Sequence, residues 1–360
     1  MNLFSTRIYQ TYKKMVKACN IMKLRNLLSK KKLQTGCTVQ PQSKEELVAI
    51  IKDAIATYGN EVDLNFIDTS KIINMSCLFQ NSNFNGNINK WNVSNVKNMD
   101  CMFSSAFKFN QPLNDWNTSN VESMCYMFSD AKSFNQPINN WDLSKLKSMF
   151  GMFCNAESFN QPLDKWNISN VKDLHSVFFG AKSFNQSIEN WDVSNVESIE
   201  AIFYKAVAFN KKLNKWNTSN IKNMQNAFYG ASSFNRPLNN WNVSNVANMY
   251  QMFKACKSFN QPLNKWNVSN VNIMSHMFED TKAFNQPINN WNISHLLIAN
   301  AMFKNALSFN QDLDNWKFNS SCSVDDFLFG ATSFKSKLPQ NLVYRQKVEY
   351  YIHVIYELKS

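Results

Sequence analysis

The stretch FNQPLNKWNVSNVNIMSHMFEDT, Phe259 to Thr281, decides the fold, because Phe109 to Ala131 spells FNQPLNDWNTSNVESMCYMFSDA, nearly the same unit six periods upstream. All ten tryptophans fall on one comb of period 25: Trp91, Trp116, Trp141, Trp166, Trp191, Trp216, Trp241, Trp266, Trp291 and Trp316. A period of this size marks a solenoid, whose units bury their apolar faces only against neighbours. The Trp column is therefore the expected core.

With Trp as position 0, Leu or Ile stands at −3 in every copy, from Ile88 to Leu313, and a β-branched residue usually stands at +2, as in Val93, Thr118 and Ile168. This L-x-x-W-x-V spacing predicts a strand, with Trp in the central leucine site of a leucine-rich repeat. Ser follows at +3 in nine of ten copies. Apolar residues then recur at +5, +8, +11, +12 and +15, as in Val96, Met99, Met102, Phe103 and Ala106. Spacings of three and four predict a short α- or 3₁₀-helical arm, capped by Ser or the following Asn. Phe-Asn, then often Gln-Pro, marks the turn back, and the Asn column is expected to satisfy backbone groups between coils. The expected fold is an α/β repeat solenoid: a leucine-rich-repeat-like right-handed coil with one parallel β-sheet face, short helical arms and helical caps at both ends.

Four segments follow. Residues 1–40 form a basic N-terminal tail, disordered or helical. Residues 41–83 hold a capping helix and a degenerate first coil, since Ser43 with Glu46 makes a capping box, Leu47, Ile50, Ile51, Ala54 and Ile55 an apolar stripe, and Gly59 a stop. Residues 84–338 carry ten to eleven repeats, and residues 339–360 a C-terminal cap, with a closing helix between Asn341 and Leu358.

The net charge of +12 suggests nucleic acid until it is located. Nine basic residues, from Arg7 to Lys32, and no acid lie in residues 1–40, leaving about +3 over the other 320. A basic stripe along the array is absent, which argues against nucleic-acid binding by the repeats. The tail suits peripheral membrane contact, an organellar transit peptide or upstream sequence before a later start. It lacks the uninterrupted apolar run of a secretory signal, and no stretch of the chain has the roughly 20 apolar residues of a transmembrane helix.

Catalytic signals are weak. The eight cysteines show no zinc spacing, although Cys77 and Cys101 occupy equivalent places in adjacent repeats. Only four histidines occur, His175, His276, His295 and His353, and a serine repeated nine times reads as structure rather than nucleophile. No Gly-rich phosphate loop exists among seven glycines. The reading is a non-enzyme without cofactor or metal.

Function is better sought on the residues flanking Trp. Lys90, Asp115, Asn140, Lys165, Asn190, Lys215, Asn240 and Lys265 precede it; Asn92, Asn117, Asp142, Asn167, Asp192, Asn217, Asn242 and Asn267 follow it. They form a flat polar strip, read either as ladders bonded to themselves or as a docking face for a polypeptide or glycan. The Asn-x-Ser spelling from Asn92 to Asn292 also makes formal glycosylation sequons, a by-product of the motif.

The joint recurrence of Trp-Asn, Phe-Asn and Met-Phe in register resembles the BspA-like leucine-rich-repeat surface proteins of bacteria and the 25-residue repeats of mycoplasma proteins, over about residues 43 to 338. The resemblance implies a bacterial cell-surface or host-interacting adhesin, with no catalytic residues to carry over. The alternative is an intracellular, cytoplasmic scaffold or structural protein with a basic membrane- or partner-contacting tail.

Overall fold

A computed structural model describes residues 38–340 and 342. One helix, α1 (Lys44–Tyr58), opens the array. Ser43 caps it, its side chain accepting the Glu46 N–H at 3.3 Å. The Glu46 carboxylate reaches back to the Gln42 N–H at 2.8 Å, one residue before the usual capping-box donor. Gly59 ends the helix at φ 87, a left-handed value that suits a residue without a Cβ. The buried stripe Leu47, Ile50, Ile51 and Ala54 joins the same apolar cluster as Leu64 and Ile67 of the first coil. Val39 pairs with Ile67 in a parallel bridge.

The backbone of each repeat differs from the expected strand and helical arm. In every coil the Trp N–H donates to the carbonyl at −3, at 2.9–3.3 Å, so L-x-x-W closes a turn rather than running extended. Parallel bridges instead join position +7 of successive coils, as from Asp173 through Ser198, Asn223, Asn248, Ile273 and Ile298 to Ser323. From there the donors alternate. In the Trp191 coil, Ile199, Ala201, Phe203 and Lys205 donate to Asn223, Gln225, Ala227 and Tyr229 of the next coil, at 2.6–3.1 Å. Ile202, Tyr204 and Ala206 donate three residues back within their own coil. A helix would direct all of these bonds inward along one chain, so the expected arm is replaced by a run of tight turns laddered to their neighbours.

Two left-handed residues per coil make this alternation work. Ala201 (φ 52) and Lys205 (φ 53) each hold the third place of a four-residue turn, the position where a type II turn requires positive φ. The same two places, +10 and +14, are left-handed from Cys101 and Ser105 to Asp326 and Gly330. For a residue with a Cβ this costs roughly 1–2 kcal/mol. An N–H at each place crosses to the next coil, as in Ala201 to Gln225, and such bonds, at about 0.5–1.5 kcal/mol each, offset part of that cost. No helix follows the Ser column. The hydroxyls of Ser94, Ser119, Ser219 and Ser244 instead donate to the Asn two residues earlier.

The core is a set of aromatic columns. The ten tryptophans are 2–3% exposed, and neighbours such as Trp141 and Trp166 lie parallel with centroids 6.4 Å apart. Inside each coil the Phe at +12 stacks on the Phe that opens the next repeat, as with Phe203 and Phe209 at 3.9 Å. Each buried Phe contributes about 1.5–3 kcal/mol, which explains how units of 25 residues hold together.

Two polar devices tie coil to coil. Every Trp indole Nε1–H donates at 2.9–3.2 Å to the −3 carbonyl of the coil before, as Trp116 does to Ile88 and Trp191 to Leu163. The Asn after Phe accepts, through its side-chain oxygen, the N–H of its successor 25 residues on. That chain of bonds runs from Asn85 and Asn110 through Asn160 and Asn185 to Asn285 and Asn310. The closing helix expected between Asn341 and Leu358 lies outside the described residues except for the buried Leu342, and so does all of the tail before Thr38.

Candidate interaction faces

Two surfaces run the length of the coils, the first exposed and the second mostly half-buried. On the first, all sixteen strip residues flanking the first eight tryptophans, from Lys90 and Asn92 to Lys265 and Asn267, are exposed. Their chemistry is partly committed. The side-chain oxygen at +1 accepts the N–H of the Ser two residues on, as in Asn92 with Ser94 at 3.0 Å, Asp192 with Ser194 at 3.0 Å and Asn267 with Ser269 at 3.2 Å. These Asx turns fix the chain direction after Trp. Hydrogen bonds from Ser144 and Ser194 hold the Asp142 and Asp192 carboxyls below the usual range. Asn at +1 is thus a turn former, and the Asn at +4 does the bridging: Asn120 donates to the Ser94 carbonyl and Asn220 to Ser194. The −1 side chains are less engaged, with Lys165 and Lys215 reaching Asn140 and Asn190 at 3.5 and 3.2 Å.

The second surface lies over the inter-coil ladder, at +9, +10, +13 and +14. Salt-bridged rows border it. On one side Glu122 sits between Lys97 and Lys147, at 3.7 and 2.7 Å; on the other Glu157 sits between Lys132 and Lys182, at 3.4 and 3.0 Å. The side chains between these rows change from coil to coil. At +13 they run Ser104, Ser129, Cys154, Phe179, Tyr204, Tyr229, Lys254, Glu279, Lys304 and Phe329, whereas the buried +12 column beside them is Phe in all but the last, Leu328.

In the sequence this surface is hidden, because the spacing over +9 to +14 reads as a helical arm. The signal was nevertheless present: these columns vary where the strip repeats Asn, Asp and Lys. Phe179, Tyr204 and Tyr229 stack with centroids 4.3 and 4.4 Å apart. The Lys254 ammonium lies 5.9 Å from the Tyr229 ring and 2.8 Å from Glu279, which also meets His276 at 2.6 Å. Tyr250 packs edge-on against His276 at 5.7 Å. Beside this set runs a second chain of contacts, Phe150 on His175 at 4.4 Å and His175 to Glu200 at 3.7 Å.

His175 and His276 each face a carboxylate, in separate clusters and without a shared nucleophile. The described cysteines, Cys77 and Cys101 among them, are free thiols. Burial pushes the Cys101 and Cys154 thiols up to about 11, so they stay protonated at neutral pH. Among the described residues no cluster of three or more His, Cys, Asp or Glu is placed to hold a metal, and no helix is long and apolar enough to cross a membrane.

Coils of one repeated unit, closed by an aromatic ladder and bearing a long exposed strip, define a repeat solenoid. The chain belongs to the family described as "Mycoplasma protein of unknown function, DUF285", whose model matches residues 51–166, 151–261 and 233–341. No curated protein matches. Among solved structures, the chain is similar to that of the "Crystal structure of TLR13-ssRNA13 complex", at 13% identity and a TM-score of 0.19, over 78% of this chain and 53% of that one. It thus spans about half the length of that protein.

Proposed function

We propose that the protein is a non-enzymatic interaction module, a solenoid that docks a polypeptide or glycan on an exposed face. The observation behind this reading is the division of labour within each repeat. Positions −3, 0, +5, +8, +11, +12 and +15 are buried almost without exception and stay apolar with few departures such as Thr281, so the changes of charge and polarity from coil to coil fall mainly outside. Repeat arrays use such extended surfaces for recognition. The Asn- and Lys-bearing strip beside Trp is one candidate surface. The likeness of the repeats to BspA-like surface proteins supports display on a bacterial cell and adhesion to host material.

Protease treatment of intact source cells, followed by an antibody to the repeats, tests display. Digestion from outside is the expected result, and binding to a panel of matrix proteins and glycans should follow. Protection in the soluble fraction would instead favour the intracellular scaffold, with residues 1–40 contacting a membrane or partner.

A further inference from the structure

We propose that the ladder face of the coils from Trp166 to Trp266 is a protein-recognition surface, taking a polypeptide segment that presents an apolar side chain beside a carboxylate. This rests on the interaction-module reading and moves its centre away from the Asn strip.

Three observations carry it. The first is variation within one chain. A column that only supports the fold meets the same environment in every coil and keeps its apolar character, as +12 keeps Phe in all but the last coil and +11 exchanges Met only for Val, Ile, Ala or Phe. The ladder columns instead pass from Ser104 through Phe179 to Lys254 and Glu279, and they hold bulky, half-buried aromatics at Phe150, Phe179, Tyr204, Tyr229 and Tyr250. Aromatic side chains of this kind are enriched where proteins bind each other.

The second is ring orientation. Phe179, Tyr204 and Tyr229 lie face to face, with interplanar angles of 3° and 12°. Their π-faces are therefore taken up by one another. What remains toward solvent is a row of ring edges and two phenol hydroxyls. A sugar ring or a nucleobase stacks on an open aromatic face, which this row does not offer. An aliphatic or aromatic side chain packs well against edges. The neighbouring charges, Glu200, Glu279 and Asp280 with Lys205 and Lys254, are also of both signs, unlike a track for phosphates.

The third is charge. Lys205 is exposed, and its ammonium lies 5.4 Å from the Tyr204 ring. Among the described residues no carboxylate lies within ion-pair reach of it, in contrast to Lys254, Lys222 and Lys304. The geometry therefore leaves one free cation at the edge of the aromatic row, where a partner's carboxylate completes the pair. Glu279, only 8% exposed, is already held by Lys254 and His276 and serves to fix that end of the patch. Ser275 beside it is 4% exposed, and its hydroxyl has no partner among the described residues.

The test is a random peptide library displayed on phage and selected against the full chain. The selected peptides should share an apolar residue next to Asp or Glu. Tyr204→Ser with Tyr229→Ser, and separately Lys205→Glu, should each weaken binding about tenfold or more. Replacing the peptide carboxylate with Lys should restore binding to the Lys205→Glu protein. Lys205 is exposed and Glu has the same backbone needs at its φ of 53, so that variant keeps its fold, which an unchanged melting temperature verifies. Peptides that ignore these changes but are lost with Lys165→Glu and Lys215→Glu would move recognition to the strip, overturning this inference while leaving the interaction module intact. Binding of a glycan panel that depends on Tyr204 and Tyr229 would overturn the polypeptide assignment. The absence of any binder from peptide, matrix-protein and glycan panels would overturn both readings.

Discussion

Trp191 donates its indole Nε1–H to the carbonyl of Leu163 at 2.9 Å, and that same carbonyl accepts the Trp166 N–H at 3.3 Å. One oxygen therefore closes a turn in its own coil and receives the core side chain of the next. Local structure and coil stacking share a single atom.

Replacing Trp191 with Ala removes a ring that is 2% exposed and stacked on the parallel ring of Trp166, and should destabilise the protein by ~3–5 kcal/mol. Trp191→Phe keeps a ring but loses the donor. Because Leu163 still accepts from Trp166, the lost bond itself should cost only ~1 kcal/mol, with a further cost for the smaller ring. Denaturant midpoints of the two variants measure the difference. An unchanged midpoint for the Ala variant would mean that the Trp column is not the core.

Asn160 accepts two bonds on one oxygen, from the Asn185 N–H at 2.9 Å and the Gln186 side chain at 3.0 Å. Asn160→Ala should destabilise by ~1–3 kcal/mol, because it leaves a part-buried N–H unpaired. Asn160→Asp retains the acceptor and should recover most of the loss. Equal losses in both variants, seen by thermal melting at neutral pH, would show that the oxygen is not what matters.

Gly151 and Gly230 are both left-handed, at φ 57 and 66, but their surroundings differ. A Cβ on Gly151 would stand 2.5 Å from the Tyr126 ring, whereas on Gly230 the nearest atom is the Lys205 Cγ at 3.2 Å, on a flexible side chain. Both Ala variants acquire roughly 1–2 kcal/mol of left-handed strain. Gly151→Ala should therefore be the worse of the two in urea titration, by about 1 kcal/mol or more for the added crowding.

Paired lysines hold the carboxyls of Glu122, Glu157 and Glu197 below the usual glutamate range. A lowered folded-state value contributes stability that is complete above the ordinary value of 4.5 and is lost as pH falls through the folded value. Melting temperature should accordingly fall on acidification below that point, and the effect should shrink in high salt because the pairs are exposed. Glu157→Gln should flatten its share of this dependence. A pH profile identical to the parent would remove Glu157 from the account.

The period, the buried columns and the Asn connections were legible in the sequence, because a repeat exposes its own register: Trp, Phe-Asn and Met-Phe return every 25 residues. The backbone path was not. Spacings of three and four at Val96, Met99, Met102 and Phe103 arise equally from a helix and from a coil of alternating turns. Glycine, the usual sign of a left-handed turn, stands at only a few of the places that need one, while Ala201, Lys205 and Gln251 fill others. The strip beside Trp looked like a sheet face, while the aromatic row from Phe179 to Tyr229 lay hidden in a supposed helix.

Amide hydrogen exchange across the Trp191 coil tests the account most directly, since the position of the inter-coil bonds decides which side chains face outward. Protection is predicted at Ile199, Ala201, Phe203 and Lys205, whose N–H groups cross to the next coil, and faster exchange at Asp192 and Val193, which find no backbone acceptor among the described residues. Strong protection at Asp192 and Val193 with rapid exchange at Ala201 and Lys205 would restore a strand through Trp191 and contradict both the ladder and the face assigned to it.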